Sequence, residues 1–252
     1  RLPRNIIARM QSLEYDRSFL AARILLDKIN ANMIISGAFG LFEKKTVIAV
    51  GGYDNSTMGE DMELVVRLHE FSRMNRKPYK IHFAQDAICW SQTPEKLSEL
   101  CKQRKRWQRG LFQCMWGHRK MLANPRYGAV GLLSYLYFLL YELLSPFIEL
   151  LGVLTMVLSV VMDMLNVKFM LVFLACYALY GILLTLTAYF SRIYTIDQRV
   201  SFRELILAIT ACFFETTFLR FYLEFVRVTA FVGYKKNKLN WGKLERKKMN
   251  KI

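Results

Sequence analysis

Apolar residues are unevenly distributed along the chain and concentrate after Gly128. Residues 169–190, FMLVFLACYALYGILLTLTAYF, include no charged side chain. An apolar helix of this length can cross the hydrocarbon core of a bilayer. The pattern therefore predicts a membrane protein whose best-defined span covers residues 169–190.

The preceding stretch, residues 128–162, is almost as apolar, and few residues interrupt it: Glu142, Pro146 and Glu149. As a single straight helix it would be much longer than a bilayer core is thick. We therefore predict an interfacial or re-entrant segment over residues 129–142 and a span over 143–162. Proline is tolerated in the first turn of a helix, so Pro146 is compatible with that span.

The last apolar stretch, residues 203–233, carries several charged side chains: Arg203, Glu204, Glu215, Arg220, Glu224 and Arg227. Charges are costly in contact with lipid, so a clean span is not expected here. This segment is predicted to lie at the interface, to pack against protein or to form a hairpin. Two crossings are then expected within the membrane region, residues 128–234.

Residues 1–127 show the shorter, mixed patterns of an α/β domain. Two segments, 32–45 and 79–90, alternate short apolar runs with turn residues, and each predicts a pair of short strands. Their turns are expected at Ser36–Gly37 and Gln85–Asp86. Periodicity, glycine and proline predict helices over residues 12–30, 45–50, 59–74 and 94–121.

The chain is strongly basic, with a formal net charge of +16. Lysine and arginine cluster in the C-terminal tail, residues 235–252. Basic segments beside membrane spans favour the cytosolic side and anionic lipid headgroups. The charge pattern therefore predicts a cytosolic tail, a cytosolic segment between Arg192 and Arg203, and an external loop at 163–168.

Such a charge could also indicate nucleic-acid binding, but the sequence shows no recognition motif, zinc-ligand spacing or aromatic single-strand platform. No nucleic-acid partner is therefore expected. The cysteines form no CxxC pair and the histidines are scattered, which favours reduced, buried thiols and no metal centre.

Two adjacent carboxylates, Glu60 and Asp61, directly follow the glycine-rich loop GGYDNSTMG. Acidic residues in a first helical turn stabilise the helix dipole, so these side chains could serve the helix end alone. A carboxylate in that position could also act as a general base. The residues themselves leave both interpretations open.

The second unusual stretch, QRKRWQRG, lies in the long predicted helix. At helical spacing Gln103, Arg106, Trp107 and Gly110 share one face, and Lys102, Lys105 and Arg109 lie on another. A basic amphipathic helix on a membrane surface would show the same pattern. An amide, a guanidinium and an indole on one face also suit a nucleotide sugar, through hydrogen bonds to the diphosphate and stacking on a sugar.

The order SGAFGLF, GGYDNSTMGED and QRKRW, followed by membrane helices, resembles the processive family 2 glycosyltransferases. That group includes cellulose, hyaluronan and poly-N-acetylglucosamine synthases. The resemblance covers nearly all of residues 1–165. It implies the second half of a GT-A, Rossmann-like domain over residues 1–127, with the QxxRW helix at the membrane interface. It also implies a multi-pass protein of the plasma membrane, the inner membrane in bacteria, whose catalytic part is cytosolic.

The resemblance also implies roles for single residues. Asp61, which closes the ED motif, would be the general base of an inverting transfer from a nucleotide sugar, and Glu60 would orient the loop or cap the helix. The QxxRW residues would close over the diphosphate and shape the acceptor site: Gln103, Arg106 and Trp107. The loop around Ser36 and Gly37 would border the acceptor, a growing polysaccharide or a glycolipid.

The resemblance further implies a divalent cation, Mg²⁺ or Mn²⁺, held by a DxD motif. Asp16 and Asp27 lie in helical patterns and form no DxD, so the metal ligands are expected outside this chain, N-terminal to Arg1. The chain is therefore expected to be the later part of a longer enzyme. Two alternatives stay open: transfer of a single sugar to a lipid carrier, and a non-catalytic membrane partner. The second is weakened because Asp61 and QRKRW are both intact.

Overall fold

The computed structural model describes residues 2–76, 79–84, 87, 89–195, 200–235 and 239, without the side chains of 19–21. Its α-helices are α1 (Ile6–Tyr15), α2 (Ala22–Lys28), α3 (Lys44–Ala49), α4 (Glu60–Met74), α5 (Leu97–Gly117), α6 (Tyr135–Tyr137), α7 (Ser145–Val161), α8 (Val167–Thr195), α9 (Phe202–Phe214) and α10 (Arg220–Val228). Wider π-helical turns cover Asp16–Ala21, Val130–Ser134, Phe138–Leu143 and Glu215–Leu219, and 3₁₀ turns cover Arg119–Met121, Pro125–Tyr127 and Thr229–Phe231. All four helices predicted in the first half of the chain form.

The predicted strands do not form in the described residues, so the α/β character of residues 1–127 is not shown. A strand is defined by hydrogen bonds to a neighbouring strand. Here the extended backbone bonds to side chains instead: the Ile81 N–H donates to Asn30 Oδ1 at 2.9 Å and the Phe83 N–H to Asp27 Oδ1 at 2.7 Å. The turn predicted at Ser36–Gly37 does form, while Gln85–Asp86 lies outside the described residues.

Two buried apolar clusters hold the helices together, and α5 contributes to both. The first joins α2, α4, the second half of α5 and residues 130–143. The second joins α1, the start of α5, α8, α9 and α10. The QRKRW stretch lies between the two clusters, so its position relative to both halves of the molecule is set by packing.

Two helices are long and apolar enough to cross a membrane, Val167–Thr195 and Phe202–Phe231. A third candidate is the pair Val130–Leu143 and Ser145–Val161, which is bent by 46° at its break. Only 6% of the most apolar part of α8 is buried within the protein, so its apolar surface is left for lipid. Pro146 lies in the first turn of α7, as predicted.

The segment predicted as interfacial, protein-packed or a hairpin is one continuous helix over Phe202–Phe231. The hairpin interpretation is therefore wrong. The segment does pack against protein, because its charged side chains meet opposite charges from other helices or from its own: Arg17 with Glu215 at 2.9 Å, Glu149 with Arg220 at 2.7 Å and Glu224 with Arg227 at 2.9 Å. Of the predicted basic tail, the structure describes only residues 235 and 239.

Candidate functional site

The glycine-rich loop before α4 is shaped by two glycines and one arginine. Gly51 and Gly52 have φ angles of 90° and 75°, a region that side-chain-bearing residues rarely adopt. The Arg67 guanidinium, from α4, donates to the carbonyl oxygens of Val50 at 2.5 Å and Gly52 at 2.7 Å. It also pairs with Glu63 at 2.7 Å. The loop is therefore tied to the helix that it precedes.

Asp61 lies in the first turn of α4, and both of its carboxylate oxygens accept backbone N–H groups. The Met62 N–H donates to Oδ1 at 2.8 Å, and the Gly37 N–H donates to Oδ2 at 3.1 Å. A Cβ atom at Gly37 would lie 3.4 Å from the Asp61 Cβ, so the two segments are in contact. The structure thus brings together two predicted site residues that are far apart in sequence.

Two hydrogen bonds hold the residues that lead into the Gly37 loop, one from Ser134 and one from His69 of α4. The Ala31 carbonyl accepts a hydrogen bond from the Ser134 hydroxyl at 2.5 Å, and the Asn32 carbonyl lies 2.8 Å from Nε2 of His69. Burial is the main reason that the pKa of His69 falls to about 4, so this imidazole is neutral and donates. Ser36 and Gly37 themselves are exposed, which leaves their outer side open to a ligand.

Helix α5 touches the start of α4 through backbone atoms. A Cβ atom at Gly110 would lie 2.8 Å from the Gly59 nitrogen and 2.9 Å from its Cα, closer than real Cβ contacts occur. Farther along α5, the Gln113 side-chain oxygen accepts the Met58 N–H at 2.8 Å and the Thr57 hydroxyl at 3.1 Å. The residues just before the ED pair are therefore in direct contact with the part of α5 just after QxxRW.

The two motifs also interact electrostatically. Burial raises the pKa of Glu60, and the positive charge of Arg106 counteracts this effect. The positive charge of Arg106 therefore acts on the Glu60 carboxylate. The side-chain oxygen of Gln103 is buried and has no hydrogen-bond partner in the described structure. Such an unpartnered acceptor is costly unless a ligand group satisfies it.

Trp107 is 39% exposed and is the aromatic member of the motif. The Arg104 guanidinium lies 4.7 Å from its ring and 5.7 Å from the Tyr15 ring, and it pairs with Glu14 at 2.7 Å. One side of the indole therefore contacts a cation from the same helix. Sequence reasoning missed Arg104, because a basic residue among other basic residues gives no sign of burial.

Gln108 and Arg109 form hydrogen bonds with other segments of the protein, which the pattern of a helix on a membrane surface does not predict. Gln108 donates to the Leu143 carbonyl at 3.1 Å and accepts from Arg227 at 2.9 Å. The Arg109 Nε–H donates to the Ala230 carbonyl at 2.8 Å. This part of α5 therefore packs on the membrane-region helices, and a lipid-surface role alone does not describe it.

A further half-buried cation, Arg23 of α2, was not predicted. Burial lowers its pKa to about 10, and the carboxylates of Asp61 and Glu142 counteract that effect. Its guanidinium carbon also lies 6.0 Å from the Phe83 ring centre. The residue remains charged near neutral pH and adds positive charge beside Asp61. No pattern around residue 23 distinguishes it from the other cations of a helical surface.

The chain matches a known protein family and several curated relatives. The family model described as "Glycosyl transferase family group 2" matches residues 2–223. The poly-β-1,6-N-acetyl-D-glucosamine synthases of Staphylococcus aureus strain COL and strain MSSA476 are each 32% identical to this chain over 120 residues. The same synthase of Staphylococcus epidermidis is 31% identical over 120 residues.

Each alignment covers 48% of this chain and 26% of the relative, so the chain matches about a quarter of the length of these relatives. No solved structure matches the chain. The family match extends from α1 into α10 and includes both the ED and the QxxRW segments. The chain belongs to glycosyl transferase family group 2 and is related to polysaccharide synthases.

Proposed function

We propose that this chain supplies the general base and the diphosphate-binding helix of a membrane glycosyltransferase. The enzyme would transfer a sugar, with inversion, from a UDP-sugar to a growing polysaccharide or a glycolipid. The observation that carries the proposal is the backbone contact between Gly59 and Gly110, which joins the ED helix to the QxxRW helix. Family membership supplies the reaction class, and this contact supports a shared site.

Asp61 is the proposed base. Its two backbone hydrogen bonds orient the carboxylate, and each oxygen keeps a second acceptor position. In the reaction, a carboxylate oxygen takes the proton of the acceptor hydroxyl while the hydroxyl oxygen attacks the anomeric carbon. The bond from that carbon to the diphosphate oxygen breaks, and the electron pair leaves with the nucleotide diphosphate. Gly37 is in contact with Asp61, so the exposed loop is proposed to lie beside the acceptor.

The α5 residues are proposed to receive the leaving group. Arg106 can offer two parallel N–H bonds to the diphosphate, whose negative charge grows as the glycosidic bond breaks. The buried, unpartnered oxygen of Gln103 can accept a hydrogen bond from a sugar hydroxyl. The exposed part of Trp107 can pack on a sugar ring. Glu60 is proposed to orient this end of α4 through its proximity to Arg106.

The divalent cation implied by the family does not fit the residues that the structure describes. Among them, no group of three or more His, Cys, Asp or Glu side chains could hold a metal ion. The Mg²⁺ or Mn²⁺ ligands are therefore proposed to lie outside this chain. The roles assigned to Asp61 and to the α5 residues do not depend on a metal ligand among them.

The site is proposed to face the cytosol of a plasma membrane, the inner membrane in bacteria. The apolar surfaces of α7 and α8 would contact lipid, and the basic segments would contact the anionic headgroups. Because the matched relatives are named for poly-β-1,6-N-acetyl-D-glucosamine, UDP-N-acetylglucosamine is the first donor to test. Nucleic acid has no part in this proposal.

The test is a transfer assay with labelled UDP-N-acetylglucosamine on membranes that contain the intact enzyme. A long labelled product that depends on Asp61 is expected. A single-sugar lipid product would favour the lipid-carrier alternative over polymerisation. If no donor of a UDP-sugar panel is consumed, the chain is a non-catalytic partner and the proposal fails.

A further inference from the structure

The QxxRW face of α5 continues past the motif. Gln103, Arg106, Gly110 and Gln113 follow one another at helical spacings of three, four and three residues, and Trp107 lies four residues after Gln103, so they share one side of the helix. The last two contact residues 57–59, immediately before the ED pair. One end of this face is therefore proposed to hold the donor, and the other end touches the segment that carries the base.

The contact consists of two parts with different chemistry. At Gly110 the helix backbone meets the backbone of Met58 and Gly59, with room for hydrogen only. At Gln113 one side-chain oxygen accepts both the Met58 N–H and the Thr57 hydroxyl, and Thr57 in turn accepts the Gly59 N–H at 3.2 Å. Thr57 and Met58 are buried, so these bonds are shielded from water.

We propose that Gly110 and Gln113 are positioning residues that lock the donor-binding helix α5 onto the start of α4, and thereby set the distance between the donor and the base Asp61. This inference rests on the proposed function. Gly110 lies one helical turn after Arg106, and Gly59 lies two residues before Asp61. Because a helix moves as a unit, a displacement at Gly110 moves the diphosphate site relative to the base.

The glycine contact leaves no flexible group that could yield to a larger side chain. A methyl group at Gly110 would meet the nitrogen and Cα of Gly59 and the carbonyl carbon of Met58, which are all backbone atoms. The helix or the loop must therefore shift. Misplacement of reacting groups by about 1 Å can slow a reaction by about 100-fold. The structure also offers a matched control, because a Cβ atom at Gly117 of the same helix would meet nothing within 4 Å.

The first test compares Gly110→Ala with Gly117→Ala in the intact enzyme in membranes, at matched amounts of folded protein. For Gly110→Ala we expect kcat to fall by about 10- to 100-fold while KM for the donor stays within about threefold, since the diphosphate contacts move with α5. The fraction of the donor that is hydrolysed by water, and not transferred to the acceptor, is expected to rise. Gly117→Ala should match the unsubstituted enzyme in all three measurements.

The second test changes Gln113 without adding bulk to the helix interface. Gln113→Met keeps the length of the side chain but cannot accept the two hydrogen bonds, so kcat is expected to fall by about tenfold. Gln113→Glu keeps an acceptor oxygen and should recover most of that loss. In the Gly59→Ala, Gly110→Ala double variant, the losses should be far from additive, because both substitutions disrupt the same contact.

These outcomes separate the inference from the function on which it rests. If Asp61→Asn slows transfer as expected for loss of a general base but Gly110→Ala and Gly117→Ala behave alike, the positioning role is wrong and the proposed function stands. The positioning role would also be overturned if the fall in kcat of Gly110→Ala disappears once rates are normalised to the amount of folded protein. If the unsubstituted enzyme transfers no sugar, the proposed function fails, and the positioning role fails with it.

Discussion

Both oxygens of the Asp61 carboxylate already accept backbone hydrogen bonds, one from the following residue and one from Gly37. The bond to Met62 fits a carboxylate that serves only the start of a helix. The bond to Gly37 comes from an exposed loop distant in sequence, and a helix-end role does not require it. The two interpretations of the ED pair can therefore be separated by experiment at this residue.

We expect Asp61→Asn to lower the transfer rate by about 10²- to 10⁴-fold, the usual contribution of a general base. The amide cannot take a proton, but the diphosphate contacts on α5 remain, so UDP binding should persist. Equilibrium UDP binding and transfer rates are measured on the same preparation. A loss of UDP affinity as large as the loss of rate would show that Asp61 is structural. Asp54→Asn, in the preceding loop, is the matched control.

At Arg106 the test concerns geometry more than charge. If α5 only rests on headgroups, Arg106→Lys keeps the charge and should change little. If the guanidinium binds the diphosphate through two bonds, lysine loses one of them, and a hydrogen bond to a charged group contributes about 1.5–3 kcal/mol. We therefore expect transfer to slow by about 10- to 100-fold, at about 1.4 kcal/mol per decade. Lys105→Arg, on another face, is the control, and equal small effects would contradict the proposed role.

At the scale of elements, α4 and the C-terminal end of α5 are also joined by a partly buried cluster of charged side chains: Glu63, Arg67, Glu70 and His118. His118 lies 2.8 Å from Glu70 and 3.4 Å from Glu63, and Glu63 pairs with Arg67. Burial alone would lower the pKa of His118, but its two carboxylate partners raise it above its usual value. Burial alone would raise the pKa of Glu63, but the hydrogen bonds from His118 and Arg67 outweigh burial, so the Glu63 pKa is lowered.

This cluster predicts a pH dependence of stability. A histidine whose pKa is raised on folding stabilises the protein fully below its unfolded pKa of about 6.5, and this contribution is lost as pH rises through the folded pKa. We expect the thermal midpoint of the detergent-solubilised enzyme to fall as pH increases above about 6.5. His118→Gln should flatten that dependence. An unchanged slope in this variant would show that another group is responsible.

The ion pair between the turn after α1 and the membrane-region helix predicts a second effect on stability. Glu215 is 3% exposed and accepts two bonds from Arg17, at 2.9 and 3.0 Å. Arg17→Met leaves this carboxylate buried without its cation and should cost about 3–5 kcal/mol. The double variant with Glu215→Met should recover most of that loss. Chemical denaturation of the purified variants measures both; additive losses would mean that the pair is not coupled.

The sequence predicted helices well because their period and their glycine and proline boundaries are local. The predicted strands are not shown in the described residues, because alternation indicates extended backbone and a strand also needs a neighbour to pair with. Residues 81 and 83 illustrate the difference, since their N–H groups bond to side chains of Asn30 and Asp27.

The candidate site shows a different limit of prediction from the sequence. The motif residues could be placed, but Arg104, Gln108 and Gln113 were missed. Polar residues on a basic helix are expected at the surface, and only the three-dimensional packing reveals that these bond to other segments of the protein.

At the scale of the whole molecule, contacts between the first and last thirds of the chain bear on membrane topology. Arg192, at the end of α8, pairs with Asp16 at 2.9 Å, and α9 packs on α1. The helix that begins with α9 continues to Phe231. At that end it contacts α5, because the ring centres of Phe231 and Phe112 lie 5.4 Å apart. Both ends of residues 202–231 therefore contact the part of the chain that carries the site. A helix that crossed the bilayer would carry one of its ends away from that part.

The last prediction follows from these contacts and from the basic residues near 192–203 and at Lys235. If the site faces the cytosol, we expect the bent segment and α8 to form the two crossings and residues 202–231 to lie along the interface. In a cysteine-free enzyme, Asn166→Cys should react with an impermeant maleimide added to intact cells, whereas Val200→Cys and Lys235→Cys should react only after permeabilisation. External labelling of Val200→Cys alone would mean that α8 and residues 202–231 are the crossings. External labelling of both Asn166→Cys and Lys235→Cys would mean three crossings, and either pattern would contradict the interfacial placement.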